Sequence, residues 1–153
     1  MYQYEPYASL VGRILLATIF LMSGVNKIMD PQGTQHYMAA MGMTTATFLF
    51  YLGAVVIEVG GGLSILLGYW ARIGAAVLFL FMIPTTLIFH ANFADQNQMI
   101  HFLKNMAMMG GLLYVMTYDA GRMSLDARLG SPAESQTATG IPVRDRRSTR
   151  LTG

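Results

Sequence analysis

Ionisable side chains inside long apolar stretches are the residues of this sequence that could do chemistry. Glu58 lies near the middle of the apolar stretch 46–69, and Lys27 and Lys104 lie near one end of two other stretches. A charge at the centre of a bilayer costs about 2.5–3.5 kcal/mol on insertion scales, so such a group usually faces other protein groups and is paired or neutralised. A carboxyl group paired with a lysine could hold a proton or bind a polar group of a ligand.

These three residues differ in their predicted depth within the membrane. Counted from Tyr69 at a helical rise, Glu58 lies about 16 Å into the membrane, which is too deep for its carboxylate to reach water. Lys27, Lys104 and Asn26 lie close enough to the membrane surface to extend towards it, so a purely structural role stays open for them. We predict a polar pocket in the outer half of a helix bundle, with Lys27 or Lys104 as the counter-ion of Glu58. Its predicted lining residues are Glu58, Lys27, Lys104, Asn105, His90, Asn26 and Ser23.

Three histidines raise a separate hypothesis. His36, His90 and His101 all fall on the same predicted side of the membrane, with Asp95 nearby, and imidazole with carboxylate suits zinc, copper or iron. No two of these histidines are four residues apart on one helix, so we predict no metal site and keep the three as weak candidates. Two of them could equally be axial haem ligands.

Other residues are predicted to have structural roles. Small residues recur at four-residue spacing, a pattern that allows helices to approach closely in membranes. Asp126 follows the last apolar stretch and is expected to pair with Arg13 or Arg72 at the cytoplasmic face. The predicted structural residues are Arg13, Arg72, Asp126, Gly60, Ser64, Gly68 and Gly111.

Four apolar stretches must position these side chains: residues 8–29, 46–69, 73–94 and 101–118. Each is about the length of helix that crosses 30 Å of hydrocarbon. Hydrophobic residues make up 54% of the 153 residues and charged residues 12%, too few charges to cover the surface of a soluble domain. We therefore predict an all-α polytopic membrane four-helix bundle over residues 1–128, followed by a disordered basic cytoplasmic tail over residues 129–153.

The predicted orientation follows from the distribution of charge. The arginines are Arg13 near the N-terminus, Arg72, and a group in the C-terminal part, so the positive-inside rule places both termini in the cytoplasm and residues 31–45 and 92–100 outside. The N-terminus lacks the features of a cleaved signal, so the first stretch is expected to be a retained span.

The sequence has no cysteine, which excludes disulfides and cysteine-bound metal clusters within this chain. The expected partners are the lipid bilayer and either a membrane partner subunit or a second copy, and no nucleic acid.

Several segments together resemble one family. In chain order they are GRILLATIFLMSGVNKIMDPQGTQHYMAAMGM, IEVGGGLSILLGYWARIGAAVLFLF, FHANF, FLKNMAMMGGLLYV and GRMSLD. This sequence is similar, over residues 10–128, to the DoxX family of small bacterial inner-membrane proteins. The resemblance implies four membrane helices in the cytoplasmic membrane. It maps the family's motif onto Gly12, Arg13, Gly24, Lys27, Glu58, Gly68, Arg72, His90, Lys104, Asn105 and Asp126.

The resemblance also suggests a functional setting. The family is named after a subunit associated with a quinone-reducing thiosulfate oxidoreductase, and other members are linked to oxidative-stress complexes. The expected function is an accessory or quinone-associated component of a membrane redox or stress system, with quinone as the possible cofactor. Two alternatives stay open: a non-catalytic assembly protein that docks a partner through glycine-rich helix faces, and a transporter of a small solute. Whether the protein is an enzyme is left open.

Overall fold

The computed structural model describes residues 5–118 and 120–129, and this part of the chain forms six helices without a strand. The all-α class is therefore confirmed. The helices are α1 (Glu5–Met29), α2 (Pro31–Ala40), α3 (Thr47–Leu67), α4 (Ala71–Phe89), α5 (Gln96–Tyr118) and α6 (Leu125–Leu129). The predicted disordered tail lies outside the described residues except for Leu129, which is the last residue of α6.

Four long helices form the bundle. α1 packs along α3, α3 along α4, and α4 along α5, while the short α2 lies on α3 and α1. A buried apolar core holds the four together. Its members are Ala17, Phe20, Ile65, Ala71, Ala75, Leu78, Met82, Leu112, Val115 and Ala120.

Contacts at the two ends show that the long helices alternate in direction. At one end, Ser9 near the start of α1 donates a hydrogen bond to the carbonyl of Ala120 just after α5, at 3.0 Å. At the other end, the rings of His90 after α4 and His101 early in α5 stack with centroids 5.1 Å apart. α5 therefore runs the full height of the bundle.

Large apolar side chains cover the outside of the bundle. Leu15, Val56 and Leu80, on three different helices, are each more than 60% exposed. A continuous apolar exterior of this kind is suited to lipid.

Three of the described helices are long and apolar enough to cross a membrane, namely Pro6–Met29, Thr47–Leu67 and Ala71–Phe89. α5 has 23 residues but is not one of these three. Its first half carries Gln96, Gln98, Lys104 and Asn105, which lower its average hydropathy.

The connections α1–α3 and α4–α5 differ in part from expectation. Residues 31–40 of the first connection form α2, which begins at Pro31 and is capped by Asp30, whose carboxylate accepts from the Gly33 N–H at 2.9 Å. The second predicted connection, residues 92–100, is too long, because α5 already begins at Gln96. The Asp95 carboxylate accepts from the Asn97 N–H at 2.8 Å and so stabilises that helix start.

Candidate functional site

An ion pair between α1 and α3 is the centre of the candidate site. Lys27 Nζ lies 2.9 Å from Glu58 Oε2 and 3.0 Å from Oε1, and it also donates to Ser23 Oγ at 2.8 Å. The Glu58 side chain is 7% exposed and that of Lys27 is 21% exposed. An ammonium group has three N–H bonds, and one of them can be shared between the two oxygens of a carboxylate, so Glu58 and Ser23 engage at least two of the three.

The local sequence explains why the two groups meet. Ser23 and Lys27 are four residues apart and therefore share one face of α1. Gly24 lets α1 approach α3, because a Cβ at this position would lie 2.6 Å from Val59 Cγ2 and 3.5 Å from Glu58 Cβ. Lys27 can then reach Glu58 with an extended side chain, and no other cation is needed to neutralise the acid.

Tyr51 supports the pair from the same face of α3. It precedes Glu58 by seven residues, two helical turns, and its hydroxyl donates to the Lys27 carbonyl at 3.2 Å. Tyr51 was not among the predicted site residues, although its seven-residue spacing from Glu58 was a signal that could have identified it.

The ion pair lies in the wall of a cavity of about 980 Å³ in the half of the bundle that contains α2. The wall is mostly apolar and includes Phe20, Ile57, Met82 and Phe89, contributed by three helices. Leu49 also belongs to the wall and is 67% exposed, so the cavity reaches the outer surface of the bundle.

Most of the predicted pocket residues lie around this cavity. The predicted residues that line it are Ser23, Asn26, Lys27, Glu58, His90 and Asn105. Lys104 does not: it is exposed on the outside of α5 while Asn105 is buried. Consecutive helical residues point about 100° apart, so the two neighbours face different ways. Asn105 is held in place by its Nδ2, which donates to Thr86 Oγ1 on α4 at 2.9 Å.

The histidines are arranged as a pair and a single residue. His90 Nδ1 is 2.8 Å from Gln98 Oε1, and its ring stacks on that of His101. The amide oxygen of Gln98 can only accept, so in this arrangement His90 Nδ1 carries the proton. His36 lies on α2 and is exposed. Among the described residues, no three histidine, aspartate or glutamate side chains are grouped as a metal site.

α2 contributes part of the cavity wall, which was not predicted from the sequence. Met38 is buried with Tyr51 and Ala54 of α3, and Tyr37 stacks on Phe89 of α4 with ring centroids 5.5 Å apart. This connecting segment is therefore helical in part and packs against both α3 and α4.

The predicted structural residues at the opposite end form a separate network. Arg13 is 2% exposed and donates to the backbone carbonyls of Ile65 at 3.2 Å, Leu66 at 3.4 Å and Met123 at 2.6 Å. These hydrogen bonds of Arg13 go to carbonyls rather than to Asp126.

Asp126 and the neighbouring residues shape the turn between α3 and α4. The Asp126 carboxylate accepts from the Trp70 N–H at 3.1 Å. Gly68 ends α3 with φ 66°, a conformation that favours glycine. Arg72 is exposed in the first turn of α4.

The small residues have different surroundings. Ser64 Oγ donates to the Tyr69 carbonyl at 2.7 Å, and a Cβ at Gly111 would lie 3.5 Å from Leu16 of α1. Gly60, by contrast, has open space where a side chain would be. Ser64, Gly68 and Gly111 thus serve the bundle itself, and Gly60 alone of the four faces outwards.

The pattern of the DoxX family matches residues 8–91 of this chain. The chain belongs to the DoxX family. Among the relatives of this DoxX protein is inner membrane protein YqjF of Escherichia coli (strain K12), 37% identical over 129 residues, which are 84% of this chain and 97% of that protein. Inner membrane protein YphA of the same organism is 34% identical over 130 residues, 81% of this chain and 91% of that protein. No solved structure matches the chain.

The family and the fold agree on where the protein is found. Both relatives are inner-membrane proteins, and this DoxX protein has several apolar helices able to span a membrane. It is therefore a multi-pass inner-membrane protein embedded in the lipid bilayer.

Proposed function

We propose that this DoxX protein is an accessory component of a membrane redox or oxidative-stress system and binds a quinone-type ligand in the cavity of its outer half. One observation carries the proposal: the Lys27–Glu58 ion pair lies in the wall of an otherwise mostly apolar cavity that reaches the surface of the bundle. Ligand sites typically combine such apolar walls with a few polar groups that fix orientation.

The dimensions and chemistry of the cavity suit a ring with an apolar tail. A volume of about 980 Å³ is at the upper end of the range of small-molecule pockets, about 300–1,000 Å³. The aromatic walls from Phe20 and Phe89 would pack against the ring and the tail, and the ion pair would hydrogen-bond to the oxygens of the ring. His90 and Asn105 add polar groups from α4 and α5.

The proposal includes a fourth membrane crossing by α5, with both termini in the cytoplasm. Two observations support the crossing: α5 runs beside α4 for the height of the bundle, and its polar Asn105 faces inwards onto Thr86. The positive-inside bias of Arg13, Arg72 and Arg122 supports the orientation. The cavity then opens in the outer half of the membrane.

Ligand-dependent stabilisation of the purified full-length protein tests the proposal. A short-tailed benzoquinone, added in its oxidised or its reduced form, should raise the thermal unfolding temperature of the protein in mild detergent. A ligand at 100 times its Kd contributes about 2.7 kcal/mol to the folded state. We expect the double variant Lys27→Gln/Glu58→Gln to accumulate in the membrane, because it leaves no unpaired charge, and to lose this stabilisation.

Lys104→Gln is the matched control, since it removes a lysine at similar depth that lies outside the cavity. It should respond to the ligand as the natural protein does. Equal stabilisation of the double variant and the natural protein, or none in either, would exclude the proposed pocket.

A further inference from the structure

We infer that the ligand of the cavity is a membrane lipid with a long apolar tail, and that this tail leaves the cavity sideways and lies in a groove between α3 and α4. The inference rests on the proposed function and narrows the ligand class of the same site. It concerns the part of the ligand that extends beyond the cavity.

The groove is a second, smaller space on the outside of the bundle. It has a volume of about 370 Å³ and an almost entirely apolar lining. Its walls include Val56 and Gly60 of α3, and Ile73 and Val77 of α4. The side chains of Val56 and Ile73 are more than half exposed, so the groove lies on the lipid-facing surface between the two helices.

The chemistry of the groove suits a hydrocarbon chain and not a polar ring. Its serine, Ser64, is satisfied within the protein, because its hydroxyl donates to the Tyr69 carbonyl at 2.7 Å. A ring that carries oxygens would find almost no polar partner here, and burying polar groups without hydrogen bonds is unfavourable. The polar part of a ligand therefore belongs in the cavity with the ion pair, and only its tail belongs in the groove.

The groove and the cavity adjoin each other. Ile57 lines both spaces. On α3, the cavity residue Gly53 precedes the groove residue Gly60 by seven residues, which is two helical turns along one face. On α4, the cavity residue Pro84 likewise follows the groove residue Val77 by seven residues. Both spaces therefore lie on the same side of the contact between α3 and α4.

The cavity also reaches the surface on this side. Leu49, four residues before Gly53, and Ile88, four residues after Pro84, both belong to the cavity wall and are both exposed. An opening between α3 and α4 at this level faces lipid. A tail can therefore pass from the cavity to the groove within the apolar part of the membrane.

The ion pair sets the height at which the tail begins. Glu58 directly follows Ile57, so a ring bound by the ion pair lies at the level where the cavity and the groove adjoin. From Ile57 to Ser64, α3 rises about 10 Å along the groove. The groove is thus positioned to take the tail of a ligand whose ring stays in the cavity.

The glycines of the groove give it its shape. A Cβ at Gly61 would clash with Leu78, and one at Gly74 would clash with Ser64, so α3 and α4 approach closely and form the floor. A Cβ at Gly60 would have no atom within 4 Å, so the space above the floor is free at this position. A larger side chain there would narrow the groove and leave the ion pair unchanged.

Photo-cross-linking of the tail tests where it lies. The full-length protein in lipid nanodiscs is irradiated with a ubiquinone analogue that has three prenyl units and a diazirine near the end of its tail. We expect label within residues 56–60 of α3 or 73–77 of α4, and its loss when the same quinone without the diazirine is added in excess. An analogue with the diazirine beside the ring should label the cavity wall instead.

Gly60→Leu tests whether the groove contributes to binding. The Kd values of ubiquinone analogues with one and with three prenyl units are measured in the same nanodiscs, and each analogue is compared between variants, so its partitioning into the bilayer cancels. Gly60→Leu should weaken binding of the longer analogue about three- to tenfold and that of the shorter one less than about twofold. The expected effect is modest, because the tail exchanges contacts with lipid for packing contacts in an equally apolar groove.

Gly110→Leu is the matched control. Gly110 of α5 also has open space where a side chain would be, but it lines neither the cavity nor the groove. Both affinities should stay unchanged in this variant. Val77→Phe narrows the groove from α4 and should repeat the effect of Gly60→Leu, whereas Leu80→Phe, at an exposed position outside both spaces, should not.

The outcomes separate this inference from the proposed function. Competed tail label in the groove, together with a loss of affinity in Gly60→Leu that grows with tail length, supports the inference. Competed tail label elsewhere, or equal effects of Gly60→Leu on both analogues, overturns it while the proposed ligand class stands, and the groove then holds bilayer lipid or a second copy of the chain. If neither analogue binds the natural protein, the proposed function fails and the inference fails with it.

Discussion

Arg13 shows how a buried charge can serve the fold rather than chemistry. The last carbonyls of a helix have no partners within that helix and carry partial negative charge. The guanidinium of Arg13 donates to two of them, those of Ile65 and Leu66 at the end of α3, and to Met123 after α5. One side chain of α1 therefore joins three segments at the end of the bundle opposite the cavity.

Arg13→Lys should destabilise the protein although it keeps the charge. A lysine lacks the fork of a guanidinium and cannot make the same set of bonds, and each lost hydrogen bond to a charged group costs about 1.5–3 kcal/mol. Unfolding of the purified protein in detergent would measure the loss. Arg122→Lys, at an exposed position, is the control and should change stability little. Equal stability of the two variants would contradict the role given to Arg13.

At the scale of elements, two neighbouring glycines of α3 have different surroundings. One is packed against α4, and the other faces away from the bundle. Gly61 lies under α4, where a Cβ would be 2.6 Å from Leu78 Cγ and 2.8 Å from Cδ1. A Cβ at Gly60, one position earlier, would have no atom of the described bundle within 4 Å and would point to lipid. On the α3 side, the packing against α4 below the ion pair thus depends on Gly61 and not on its neighbour Gly60.

The pair Gly60→Ala and Gly61→Ala tests this packing. Both changes raise intrinsic helix propensity by about 1 kcal/mol. We expect Gly60→Ala to be neutral or stabilising, and Gly61→Ala to be destabilising by about 1–3 kcal/mol because Leu78 must move. Thermal unfolding in micelles compares the two directly. A loss of stability at Gly60 equal to that at Gly61 would refute the packing argument.

α5 shows the limit of average hydropathy as a criterion for recognising a membrane-spanning helix. Its polar residues lower the average hydropathy, yet Asn105 faces α4 and His101 stacks on His90. Polar side chains that face neighbouring helices are compatible with a membrane span. The free-energy cost of a polar group in the membrane depends on which groups that side chain contacts.

At the scale of the molecule, the alternating helices place the hydrogen-bond network of Arg13 and the cavity at opposite ends of the bundle. If α5 crosses the membrane, α2 and the C-terminus lie on opposite sides of it. Reporter fusions after Gln32 in α2 and after Gly153 should then differ in accessibility, with the C-terminal fusion on the cytoplasmic side. The same fusions in a variant with Arg72 and Arg122 replaced by Gln would measure how far these charges set the orientation. Equal accessibility at both sites in the natural protein would refute the four-span arrangement.

The parts predicted best are those that depend on local pattern. The four long helices were located from apolar runs, and the candidate polar residues were found because charge in an apolar run is unusual. The wall contributed by α2 was missed, since its modest apolar content gave no reason to place Tyr37 and Met38 against other helices. Asp126 was expected to pair with Arg13 or Arg72, and the sequence could not show that backbone carbonyls would bind the guanidinium of Arg13.

The sequence by itself determined that the chain is helical and apolar, because periodicity and composition are properties of the chain alone. Only the tertiary structure decided between Lys27 and Lys104 as the counter-ion of Glu58. Both lysines occupy similar depths, but a side chain's partner depends on the rotation of its helix and on how closely the neighbouring helix approaches. Gly24 allows that approach for α1, whereas Lys104 projects from the outer face of α5.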